Sequence, residues 1–153
     1  MSAADEVANR IDQYLEEIDR VKQKAKPGAG LFGIGVGPKD DPCNDRFLTD
    51  MQSWFERFAQ SEPSSEEVEE VMDIAFTAQQ QRQDFVFFTL IAIHGMALPL
   101  VQRLLPEAAE RQALAYEERV PRNQRMPVQM KLLDELYRRA GRQPRKRGLF
   151  GRR

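Results

Sequence analysis

Few side chains in this 153-residue sequence belong to the types that do chemistry. His94 is the only histidine and Cys43 the only cysteine. A nucleophile–base pair of the two is conceivable, because such partners meet in space and not along the chain. Each also has a plainer expectation. His94 lies among Ile91, Ile93, Gly95 and Leu98, where a histidine is held in the core by hydrogen bonds. Cys43 sits next to an expected helix start, as a small apolar filler. A single cysteine excludes an internal disulfide and a multi-cysteine metal site, and a single histidine excludes a histidine-rich one. A lone thiol suits a reducing, cytoplasmic setting.

Gly28, Gly30 and Gly33 spell a G-x-G-x-x-G. Phosphate binding through that pattern needs a strand before it and a helix opening at its end. Here a helical pattern precedes it and more glycines follow, while Lys39 is succeeded by Asp40 and not by Ser or Thr. A flexible helix–helix linker is the expectation.

Glu66, Glu67, Glu70 and Asp73 are spaced by three and four. On a helix such carboxylates share a face and offer hard oxygens to a divalent cation. Glu67-x-x-Glu70 and Glu70-x-x-Asp73 are similar to the first half of the metal motif of all-helical nucleotide pyrophosphohydrolases. The resemblance implies a metal-dependent nucleotide hydrolase built on residues 64–82. That family carries a second Glu-x-x-Asp on a following helix, whereas the next segment here offers Asp84 and then an uncharged run. Acidic residues in a first helical turn are also what the helix dipole favours.

Two further features concern binding. Trp54, Phe55 and Phe58 crowd one helix, and adjacent Trp54 and Phe55 point about 100° apart. Either the helix is buried on two sides or it presents a partner surface. Residues 142–153 hold six basic side chains and no acid. Arg145, Lys146 and Arg147 there precede Leu149-Phe150, in a Gly-Leu-Phe-Gly that also occurs at 30–33. Its spelling resembles the repeat of nuclear-pore proteins, without their low-complexity spacer. Such a tail suits an acidic protein surface, a nucleic-acid backbone or an anionic membrane surface. The whole chain is not basic, with a net charge of −1. That average hides an asymmetry: residues 1–83 carry 17 acidic and 9 basic side chains, and residues 84–153 carry 7 and 14. The two parts would face each other within the fold or in a dimer, or meet an outside partner.

The elements that must position these groups read as helices. Val7, Ile11, Tyr14, Leu15, Ile18 and Val21 give a 3.6-residue stripe over 3–25. Glu6–Arg10 and Glu16–Arg20 are expected to pair along it. A second helix is expected to open at Asn44 or Asp45 and to end before Pro63. Ser64 and Glu67 spell a capping box for a third, which buries Val68, Val71, Met72, Ala75 and Phe76. Phe85–Gln102 has no charge and reads as a central bundle helix, and no membrane span is expected. Pro106 opens the next helix, with Ala109, Ala113 and Tyr116 inward beside Leu105 or Gln112. Pro127 opens the last, which buries Val128, Leu132, Leu133, Leu136 and Tyr137 and stops at Gly141. Leu31–Val36 is at most briefly extended. The acidic start, Met1–Glu6, does not read as a secretory leader.

The expectation is an all-α, compact bundle of about six helices over 1–141. A Gly-rich loop follows its first helix, and a disordered basic tail occupies 142–153. The expected function is a non-enzymatic interaction, adaptor or assembly domain of the cytoplasm, with no cofactor. A protein partner or a second copy of the chain comes first, nucleic acid at the tail second, and a membrane surface last.

Overall fold

The computed structural model describes residues 1–24, 42–82 and 86–142. Among the described residues there are six α-helices, three short 3-10 turns and no strand. The Gly-rich loop, including Gly28, Gly30 and Gly33, lies outside the described residues. So do Asp84, Phe85 and the tail beyond Arg142.

Helix α1 spans Ala3–Lys24. Val7, Ile11, Tyr14 and Ile18 are buried along the expected stripe. The charges on its other side reach across helices instead of along the helix. Arg10 pairs with Asp50 at 3.0 Å, and Glu6 accepts the Trp54 indole N–H at 2.9 Å. Helix α2 spans Pro42–Gln60 and so opens ahead of Asn44 and Asp45. Proline at the first position has no N–H to leave unsatisfied. Asn44 is instead buried and accepts the Tyr14 hydroxyl.

Helix α3, Ser65–Ala75, begins with the expected capping box. Glu67 N–H donates to Ser64 Oγ at 3.1 Å, and Ser64 N–H donates to Glu67 Oε1 at 3.2 Å. It ends at Phe76, and a 3-10 turn, Ala78–Gln81, follows. Gln79, Gln80 and Gln81 therefore lie in a break after α3 and not in its last turn.

Helix α4, Val86–Met96, is the central helix, packed against α2, α3 and the last helix. Val86, Leu90, Ile91, Ile93 and His94 are buried around it. Pro99 lies in a second 3-10 turn, Leu98–Arg103, which ends the α-helical run as a proline must. No helix among the described residues is long and apolar enough to cross a membrane. A Cβ on Gly95 would stand 3.0 Å from Val128 Cγ2, so glycine lets α4 and the last helix approach closely.

Helices α5, Pro106–Arg119, and α6, Pro127–Arg139, pack on each other, joined through the 3-10 turn Arg122–Gln124. Gln112, not Leu105, completes the buried stripe of α5, and Leu105 is exposed. α6 ends in a Schellman turn. Gly141, at φ +80°, donates to the Arg138 carbonyl at 3.1 Å, and Arg142 N–H donates to the Tyr137 carbonyl at 2.9 Å.

Candidate functional site

The polar groups of the core form one chain. Gln79 Nε2 donates to the Phe76 carbonyl at 2.9 Å, which turns Gln79 Oε1 toward His94 Nε2 at 3.0 Å. An amide oxygen only accepts, so His94 carries its proton on Nε2. Nδ1 is then a bare acceptor, and the Tyr116 hydroxyl donates to it at 2.6 Å. Gln129, on α6, lies beside the same phenol and accepts the Met126 N–H at 2.9 Å. The chain thus ties the 3-10 turn after α3 to α4 and α5, with Gln129 beside it. Burial lowers the His94 pKa to about 3 and raises that of Tyr116. Both groups are uncharged at neutral pH. A groove of about 510 Å³ opens over the two ends of this chain, between Arg82, Phe87, Val120 and Gln124.

Cys43 is placed elsewhere, in the α1–α2 seam. Its thiol lies 3.3 Å from Glu17 Oε1 and 3.4 Å from Arg46 Nη2. Those contacts hold the Glu17 pKa below the usual carboxylate range, the thiol hydrogen bond first and Arg46 after it. Both ring nitrogens of His94 are taken by Tyr116 and Gln79. The structure does not bring the thiol and the imidazole together as a pair.

The acidic helix is divided among other tasks. Glu67 caps α3, and Asp73 accepts from Gln112 Nε2 at 3.0 Å with Arg119 at 3.7 Å. Glu66 and Glu70 are exposed. Among the described residues no group of three His, Cys, Asp or Glu side chains is placed to hold a metal ion. Glu69 pairs with Arg111 at 2.7 Å. Acids of the first half thus meet bases of the second across the α3–α5 seam, within one chain.

Trp54, Phe55 and Phe58 are core residues and not an exposed face, with Trp54 stacked on Phe58 and edge-on to Phe55. The wide apolar face of α2 is covered on two sides, by α1 and by α4. Arg145, Lys146, Arg147, Leu149 and Phe150 lie outside the described residues.

One surface feature escaped the periodicity reading. Glu107, Glu110 and Leu114 follow at spacings of three and four on α5, and Glu117 and Glu118 stand three and four beyond Leu114, hence along one face. The arginines of this helix, Arg111 and Arg119, point to α3. Leu114 is 45 % exposed at a groove of about 530 Å³ between α5 and α6. Leu133, Asp134 and Tyr137 form its α6 wall, and Tyr137 donates to Glu117. Arg142 leaves the end of α6 and pairs with Glu110 at 2.7 Å. Arg139 holds the Leu104 carbonyl at 2.6 Å, beside Leu105, which is 58 % exposed. The signal was there in Leu114, a large apolar residue out of step with the Ala109–Ala113–Tyr116 stripe.

No family model, curated protein or solved structure matches this chain.

Proposed function

We propose that this chain is a helical protein-interaction domain that performs no catalysis of its own. Its basic residues 142–153 would contact an acidic protein partner. The observation that supports this reading most is the Arg142–Glu110 pair. The first base of the segment already sits on a carboxylate at the end of the described chain. Five more bases and the apolar pair Leu149-Phe150 follow it. Arginine–carboxylate contacts of this kind are charge-assisted and specific in geometry. The apolar pair adds contact area that bare charge lacks.

Binding of the full chain to fluorescent poly-L-glutamate tests the reading, beside a DNA duplex as the competing polyanion. The expected result is salt-sensitive binding to polyglutamate that the triple variant R145A/K146A/R147A loses. Equal binding by the variant overturns the reading. So does a clear preference for the duplex with a steep salt slope, which would make the partner a nucleic acid.

A further inference from the structure

We propose that the α5–α6 groove around Leu114 is a docking site for this chain's own residues 143–150, and that docking withholds the basic segment from its partner. The second clause rests on the function proposed above, and the first does not.

Three observations point to this occupant. The first is place. The described chain ends at Arg142, tied to Glu110 on the very face that carries Leu114. The second is reach. Eight extended residues cover about 26 Å or more, whereas Glu110 and Glu118 are about 12 Å apart along their helix. The third is chemistry. The face offers glutamates around an exposed leucine, and the segment offers Arg145, Lys146 and Arg147 before Leu149-Phe150. Arg122 and Arg125 bound the groove at its far end. Arg125 is turned there to the carbonyls of Val120 and Glu117. A basic segment therefore meets acids first, from the end at which it is attached.

The tether makes weak affinity sufficient. A short linker gives an effective concentration of order millimolar, so a contact with a Kd of about 1 mM would be half filled. An acidic partner would then compete with Leu114 and its glutamates for the same bases. Freeing the segment would tighten partner binding by the inverse of the undocked fraction, about twofold at half filling.

The test uses the full chain with Cys43→Ser and a nitroxide on Gly151→Cys, observed by nuclear magnetic resonance of the labelled amides. Serine keeps a donor toward Glu17. The expected result is broadening of the amides of Leu114, Glu118 and Leu133, beyond that of α1, and its weakening in molar salt. Leu114→Lys should abolish that broadening and strengthen polyglutamate binding. Lysine is a good helix former and stands four residues from both Glu110 and Glu118, so α5 is kept. Uniform broadening, or none, overturns the docking. Broadening seen only between a spin-labelled and an unlabelled copy also overturns it, in favour of a dimer. Docking with no polyglutamate binding by any variant overturns the proposed function alone. Polyglutamate binding without the local broadening overturns the docking alone.

Discussion

Tyr116 donates its hydroxyl to His94 Nδ1 at 2.6 Å, inside a core where neither residue meets solvent. Removing that hydroxyl leaves a buried ring nitrogen without its donor. Tyr116→Phe keeps the ring and its edge-on contact with Phe76. The expected loss is about 1–3 kcal/mol, the range for an orphaned buried polar group. Urea denaturation would show it as a lower midpoint at unchanged slope.

Acid should destabilise the fold through His94. Its folded pKa is about 3, against an ordinary value of 6.5, because burial disfavours the charged ring. Below pH 6.5 the unfolded chain takes a proton that the folded chain refuses. Stability therefore falls as pH drops from 6.5 toward 3, by about 1.4 kcal/mol per unit from this group. His94→Gln removes the titration. The stability difference between pH 7 and pH 5 should shrink in the variant by about 2 kcal/mol. An unchanged difference would assign the acid sensitivity to other groups.

Trp54 separates core from surface by measurement. Trp54→Ala is expected to cost about 3–5 kcal/mol as a large buried truncation. Phe88, 59 % exposed on α4, should tolerate serine with a change of about 0.5 kcal/mol or less. Thermal or urea unfolding of the two variants gives the comparison.

What the sequence made legible was whatever repeats locally. The stripe of α1, the Ser64–Glu67 box, the prolines that open α5 and α6 and the stop at Gly141 are each written in a few adjacent residues. Pro42 was missed because Asn44 and Asp45 are better cap types, yet Asn44 was needed in the core for Tyr14. The destinations of Arg10, Glu6 and Asp73 were also hidden. A partner four residues away competes with one on the next helix, and tertiary packing decides between them. The wide face of α2 was ambiguous for the same reason, since exposure and two-sided burial spell alike. The His94 chain draws on residues 76 to 129, a separation that no spacing rule spans.

The left-handed turn at Gly141 also acts as a bearing. It fixes the direction in which the chain departs relative to the axis of α6. One residue inserted within α6 would swing that departure by about 100° and carry Arg142 away from Glu110. The same residue inserted after Arg142 would only lengthen the leash. Position, not composition, would then decide whether the segment finds its groove.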